Sequence, residues 1–265
     1  MIISMLRSIW RYRGFVTGSV KREFQIKYRN SLLGAAWTIL NPLSMIVVYT
    51  VIFSQVMGSR LPGNNTPFAY SIYLCAGVLT WGLFSEITSR SQTVFLENSA
   101  LIKKLQFPRL CLPVIVVINA LINFGIIFGL FTAFLIISGN FPGWIFLAIF
   151  PVLLIQILLS IGLGMILGVL NVFFRDVGQF FSIFLQFWFW FTPVVYPVAA
   201  LPAGIRHWLD WNPMAALIAA YQTILVHGQG PAWSGLIAPT IVGLVFCAMG
   251  FHLFRKRVGE MVDEL

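Results

Sequence analysis

Apolar residues run along this chain in unbroken stretches long enough to cross a bilayer, which takes about 20 residues of helix. Six such stretches stand out, at 33–57, 68–88, 110–137, 144–170, 178–198 and 232–254. They consume most of the 265 residues and leave no room for a soluble catalytic domain. The pattern predicts an all-α integral membrane protein with six transmembrane helices and one transmembrane domain over 1–265. In that reading, 1–30 is an amphipathic cytoplasmic segment and 31–198 carries spans one to five. Residues 199–231 form an outer segment, 232–254 span six and 255–265 a cytoplasmic tail.

The interruptions of this pattern predict local structure. Before span one, Val16, Val20, Phe24 and Tyr28 recur every fourth residue while Lys21, Arg22, Gln25 and Arg29 take other faces. That spacing reads as an N-terminal amphipathic helix lying at the interface, or simply as the basic leader that sets orientation; the two are compatible. Asn41-Pro42 predicts a kink in span one, and GSRLPGNNTP (58–67) an exit loop. SGNFPG makes spans three and four a helical hairpin. In span four, Ser160, Gly164 and Gly168 form a stripe of small residues that permits close helix approach, within the chain or at a dimer seam. PMAALIAAYQTILV, from Pro213 to Val226, is apolar but too short to span, which predicts a short re-entrant or interfacial helix between spans five and six.

Charge fixes the orientation. Only 9% of residues are charged, against roughly 25% in an ordinary soluble domain. Of the 17 Lys and Arg, all but Arg60 and Arg206 fall in the termini and loops of one side. This positive-inside bias places both termini in the cytoplasm, and it explains the basic balance without nucleic acid. Residues 31–57 are too long for a signal peptide and lack a cleavage site, so the first span should stay uncleaved. Cys75, Cys111 and Cys247 are odd in number and lie in or at the ends of spans, with neither a disulfide framework nor metal-ligand spacing.

The chemistry that is missing narrows the function. Of Lys, Arg, Asp and Glu the predicted spans hold only Glu86, near the cytoplasmic end of span two, whereas ion-coupled carriers place such groups at membrane depth. Asn119, Asn123, Gln156, Gln179 and Gln186 can be read as helix-to-helix hydrogen bonds or as substrate contacts. There is no G-x-S-x-G, no H-E-x-x-H, no G-x-x-x-x-G-K-[ST], and His207, His227 and His252 are scattered. An ATP-driven transporter would therefore need a motor on another polypeptide. The densest feature is QFFSIFLQFWFWFTPVVYP, 179–197. On a helix Phe180, Phe184, Phe187 and Phe191 share a face, with Trp188, Trp190 and Tyr196 near its outer end; they either pack and face lipid or offer flat surfaces to sugar C–H groups.

Three blocks, KYRNSLLGAAWTILNPL (27–43), LIKKLQFPRLCLP (101–113) and FTPVVYPVAALP with WNP at 211–213, together resemble the membrane subunits of type-2 ABC exporters. The likeness is to the polysaccharide-export branch, which moves lipid-linked O-antigen, capsule or teichoic acid chains. It covers essentially the whole chain; Gln222 stands where the branch often has Arg. The resemblance implies a homodimeric permease of the bacterial inner membrane, bound to two copies of a P-loop ATPase that carry the ATP, with no cofactor or metal of its own and no catalytic residues. It implies a coupling helix for the ATPase at Leu101, Ile102, Lys103, Lys104, Pro108 and Arg109; from the residues alone, Asn98 or Ser99 would cap that helix and Pro108 end it. Entry of the lipid pyrophosphate is expected at Arg11, Arg13, Lys21 and Arg22. The glycan pathway would comprise Trp37, Tyr49, Phe180, Phe184, Phe187, Trp188, Trp190, Phe191 and Tyr196, and the outer gate Trp208, Trp211, Asn212, Pro213 and Tyr221. A small lipid or drug exporter, an ion-independent secondary carrier and a multipass enzyme are the alternatives.

Overall fold

The computed structural model describes residues 10–27, 36–49, 51, 68–104 and 107–265. Tyr28, Arg29, the 58–67 loop and the side chains of Asn41, Pro42 and Tyr49 lie outside the described residues. All regular structure in the described part is helical. In chain order the helices are α1 (Arg13–Lys27), α2 (Trp37–Tyr49), α3 (Ala69–Glu97), α4 (Ser99–Lys104), α5 (Cys111–Ile137), α6 (Ile149–Phe173) and α7 (Asp176–Trp190). They continue with α8 (Ala203–Arg206), α9 (Pro213–His227), α10 (Ile237–Arg257) and α11 (Glu260–Glu264). Short 3-10 helices precede α6, α8, α9 and α10.

Four stretches are long and apolar enough to cross a membrane: Ala69–Glu97, Cys111–Ile137, Gly143–Phe173 and Trp233–Arg257. They match expected spans two, three, four and six and make this a multi-pass membrane protein. The fifth expected span is shorter than its apolar run. α7 ends at Trp190, well before 198, because Pro193 has no N–H to donate and its ring blocks the preceding turn. At 15 residues it reaches about 22 Å, short of the ~30 Å hydrocarbon core. Span two errs the other way: α3 continues past 88 to Glu97, carrying Glu86 and Arg90 inside one helix. The SGNFPG joint reverses the chain with Gly139 and Gly143 at φ 72° and 68°, conformations in which a Cβ would clash. Yet α5 and α6 make their main contacts with α3 and α10, not with each other.

α3 is the hub. It packs against α5, α6 and α9 and also touches α2 and α7. It is the least apolar of the four long helices and the most buried, as expected of a helix enclosed by protein, which need not satisfy lipid on every side. The opposite holds for α6 and α10, which turn Phe150, Leu154, Ile241 and Leu244 outward. α6 approaches α3 closely because it has no side chain in the way. A Cβ on Gly168 would lie 2.5 Å from the Ser91 carbonyl oxygen, and one on Gly164 would lie 2.6 Å from Ser91 Cβ. On its other side Gly162 admits α10, where a Cβ would meet the Cys247 nitrogen at 2.5 Å. The Ser160, Gly164 and Gly168 stripe is thus an intramolecular seam. About two turns before Gly164, the side-chain amide of fully buried Gln156 donates to the Thr80 carbonyl at 2.7 Å, a polar tie across an otherwise apolar interface.

Substituting Gly168 by Ala is expected to lower the stability of the purified protein by about 1–3 kcal/mol, the usual cost of overpacking, because the opposing atom is backbone. Ala at Gly125, which has open space around it, should be tolerated. Thermal unfolding in detergent, followed by size-exclusion chromatography, compares the two.

Candidate functional site

The FTPVVYP segment after α7 is irregular, so its backbone groups need partners, and α3 and α9 provide them. Tyr73 donates to the Tyr196 carbonyl at 2.8 Å, with the Pro193 carbonyl at 3.3 Å, and Tyr70 donates to the Val195 carbonyl at 2.9 Å. Gln222 of α9 donates to the Pro193 carbonyl at 3.3 Å. The segment lies so close to α3 that a Cβ on Gly77 would come 2.5 Å from the Val194 carbonyl oxygen. Asn212 joins it to α9. Its Oδ1 accepts from the Met214 backbone N–H at 3.1 Å, capping α9 with Pro213 at the first helical position, and from Trp188 Nε1 at 2.9 Å. Its Nδ2 donates to Thr192 Oγ1 at 2.9 Å. The WNP triplet is therefore an N-cap whose free valences hold the end of α7.

These ties fold the aromatic run and the 208–213 segment around one cleft of about 560 Å³. Phe184, Phe187, Trp188, Trp190, Phe191 and Tyr196 line one side; Trp208, Trp211, Asn212 and Pro213 line the other. The lining is uncharged. Most of its rings are free to meet a ligand, since Phe187, Trp190, Phe191, Trp208 and Trp211 are all more than 60% exposed. Trp188 is instead wedged edge-on against Trp81 and Phe84, at 6.0 and 5.2 Å between centroids. Phe180 is exposed on α7 outside the cleft, and Trp37 is exposed on α2. Tyr221 is fully buried in the core between α3 and α9, away from the cleft residues with which the sequence grouped it.

At the other end of α3, Asn98 closes the long helix and starts the short one. Its side-chain amide donates back to the Val94 carbonyl at 2.8 Å, and its own carbonyl accepts from the N–H groups of Leu101 and Ile102. The cap expected of this residue is thus made by its backbone. In α4, Ile102 is buried while Lys103 and Lys104 are exposed. Ile102 belongs to a cluster with Leu112, Phe254 and Met261, against which Leu101, Leu110 and Val258 pack. Arg109 donates to the Val258 carbonyl. The expected coupling residues are therefore held by α11 and the end of α10, a support with no signal in the spacing of residues 101–113.

α1 docks on α5 through Val16, with Phe15 and Val20 packed around Cys111 and Ile115. Arg11, Arg13, Lys21 and Arg22 stay exposed. Glu23, on the same helix, reaches two neighbouring helices: it is ion-paired with Arg90 of α3 and accepts from Asn119 of α5. Arg90 also faces Glu86 at 3.7 Å, and Glu86 accepts from Asn123 at 3.0 Å. Two carboxylates, one guanidinium and two amides from three helices thus form a network beside a cavity of about 410 Å³, which Arg22, Glu23, Arg90 and Glu97 also line. The sequence offered Asn119 and Asn123 as helix-to-helix hydrogen bonders or substrate contacts, and here they bond Glu23 and Glu86 of other helices; it missed the pairing of Glu23 with Arg90, for which the i, i+4 spacing of Glu86 and Arg90 was the available signal.

The model of the ABC-2 type transporter family matches residues 16–226, most of the chain. The chain belongs to that family. Among relatives of this ABC-2 type protein, the O-antigen export system permease protein RfbA of Myxococcus xanthus is 32% identical over 100% of both chains. An RfbA of Klebsiella pneumoniae is 28% identical over 89% of this chain and 88% of its own. The polysialic acid transport protein KpsM of Escherichia coli is 24% identical over 92% of this chain and 93% of its own. The matched region contains α1 to α9 nearly whole, and so both ends of α3 and the aromatic cleft of the ABC-2 permease.

Replacing Arg90 by Met leaves Glu23 and Glu86 without their shared cation and should loosen α1. Because the paired side chains are partly exposed, the loss is about 1 kcal/mol, enough for a several-fold faster trypsin cut at Lys21 and Arg22, since cleavage follows the population of the opened helix. Limited proteolysis of the two purified proteins reads this directly.

Proposed function

We propose that this chain is the channel-forming permease subunit of an ATP-driven exporter for a lipid-linked polysaccharide. Two copies would form the path, and two copies of a separate P-loop ATPase would bind beneath them. The reading places the protein in a bacterial inner membrane with six spans, the fifth made of α7 together with the irregular segment that follows it to 198, an interfacial α1 and both termini cytoplasmic. One observation carries it above the others: a 560 Å³ cleft walled by exposed, uncharged aromatic rings in a chain whose full-length relatives are named for O-antigen and polysialic acid. Rings present flat faces to sugar C–H groups without strong directional bonds, so successive residues of a glycan can pass. The relatives differ in the glycan they are named for, which supports the substrate class and leaves the individual polysaccharide open.

The geometry also supports a mechanism. α3 has 29 residues and is about 43 Å long. One end continues through Asn98 into the exposed lysines of α4; the other holds the FTPVVYP segment through Tyr70 and Tyr73. Movement of an ATPase docked on Lys103 and Lys104 would thus travel along one rigid helix to the wall of the cleft. The lipid pyrophosphate would enter near Arg11, Arg13, Lys21 and Arg22, and the 208–213 segment would gate the exit.

Two measurements test this reading. Phe187→Ala combined with Trp190→Ala removes two exposed rings with little packing loss; it should lower surface polysaccharide about tenfold, the effect of roughly 0.5–1.5 kcal/mol per ring, while the protein stays assembled. Unchanged export would remove these rings from the pathway. Purification from the native host in mild detergent should recover a stoichiometric P-loop ATPase, lost when Lys103 and Lys104 are both changed to Glu. A chain that purifies alone would count against the exporter.

A further inference from the structure

A second groove, of about 600 Å³, runs between α3 and α7, on a different face of α7 from the one that carries Phe180, Phe184, Phe187 and Phe191. Its two walls repeat one pattern. On α3, Trp81, Ser85 and Ser89 are spaced by four; on α7, Ser182, Gln186 and Trp190 are spaced by four. At i, i+4 and i+8 such residues fall along one helix face, so each helix contributes one indole and two small polar groups. At one end of the groove Trp81 stands edge-on to Phe189 at 5.6 Å. Near the other, Asn171 clamps α7 to α3, accepting from the Gly178 N–H at 2.9 Å and donating to the Gln92 carbonyl at 3.0 Å. A Cβ on Gly178 would come 2.9 Å from both Asn171 and Gln92. The two walls are therefore fixed relative to each other, and the lining is uncharged.

The polar groups on these walls are unspent. Among the described residues, the side chains of Ser85, Ser89 and Gln186 form no hydrogen bond, and Ser182 gives its single proton to the Gly178 carbonyl at 2.9 Å, keeping its lone pairs. Ser182 and Gln186 are exposed. Contact with acyl chains would leave an amide and hydroxyls unsatisfied, at several kcal/mol each. The groove therefore faces water or a polar occupant. Its volume lies within the range of about 300–1,000 Å³ usual for small-ligand sites. Hydroxyls and a carboxamide both donate and accept, so they can exchange bonds with a sugar hydroxyl in either sense, while the exposed Trp190 indole offers a flat face to the ring and buried Trp81 closes the end of the groove.

We propose that the α3–α7 groove is a contact surface for the sugar hydroxyls of the moving polysaccharide, read by Ser85, Ser89, Ser182 and Gln186 beside the exposed platform of Trp190. The proposal rests on the exporter reading above and adds to the aromatic cleft a polar face nearer the α4 end of the molecule. Weak neutral bonds of this kind hold any hydroxyl-rich segment and release it as easily, which suits a chain that must slide.

The test uses the complete exporter in membranes, with Cys75, Cys111 and Cys247 replaced and single cysteines placed at Ser89, Ser182 and Gln186. Leu154 and Ile241, exposed on the apolar outer faces of α6 and α10, give the control positions. A charged methanethiosulfonate reacts with the thiolate, which forms in water and not in lipid. Groove cysteines should react at least about tenfold faster than the controls, and more slowly when an ATPase-inactive partner stalls the exporter on its substrate. Rates equal to the controls would overturn the proposal, as would spontaneous disulfides between copies at 182 or 186, which would make the groove a protein seam. A triple variant, Ser89→Ala, Ser182→Ala and Gln186→Leu, should assemble and export several-fold less. If it exports normally while deletion of the chain abolishes export, the groove reading fails and the exporter reading stands. If deletion leaves surface polysaccharide unchanged, both fall.

Discussion

The closeness of α3 to its neighbours is the constraint on which the rest of this structure depends. Gly164 and Gly168 let the backbone of α6 reach Ser91, and Gly77 lets the Val194 carbonyl reach α3 itself. In a membrane, water does not drive helices together, so contact area and hydrogen bonds must do so. Absent side chains supply the first. Gln156 to Thr80, Asn171 to Gln92, and Tyr70 and Tyr73 to the 193–196 carbonyls supply the second. A helix gripped this way at several heights cannot slide past one neighbour without disturbing the others.

The same grip accounts for the division of chemistry along α3. At one end it meets the charged groups of the protein: the Glu23, Arg90 and Glu86 network, then Lys103 and Lys104 just beyond Asn98. At the other, among the described residues, it meets neutral groups: rings, tyrosine hydroxyls, the Gln222 amide and backbone carbonyls. Charge near the basic end can pair with headgroups or a partner protein. Charge beside the aromatic cleft would need desolvation and would bind one part of a passing substrate too firmly. Along α3 the two are kept apart by the length of one helix, and the charges that do flank the cleft segment, Arg206 and Asp210, stay exposed.

Much of this was legible from residue order. Spans two, three, four and six are visible because helices that face lipid, such as α6 and α10, must be apolar over their whole length. The end of α3 was not visible: enclosed by protein, it tolerates Glu86, Arg90 and Gln92, so hydropathy falls before the helix does. The early end of α7 was written in Thr192-Pro193 but was outweighed by the apolar run that continues to 198. The cleft residues near 187–191 and 208–213 came from composition and from the resemblance, and the structure brings them together; Tyr221 was carried along by sequence proximity and points into the core. The partnership of Glu23 with Arg90 joins residues 67 apart, and the support of Ile102 by Met261 joins residues farther still. No local periodicity encodes either.

Gln222 shows how such a long-range fact can settle a local question. The related branch often carries Arg near this position, which raises the issue of whether a charge is needed at the wall of the cleft. In this chain the side chain is buried, 6% exposed, and donates to the Pro193 carbonyl next to Tyr73. An amide makes that bond without a counter-ion. A guanidinium in the same place would keep several donors to satisfy and a charge to desolvate, with no carboxylate in the Tyr70, Tyr73 and Pro193 cluster that surrounds it. What the position requires here is a donor that holds the backbone after α7, and Gln222 is sufficient for that.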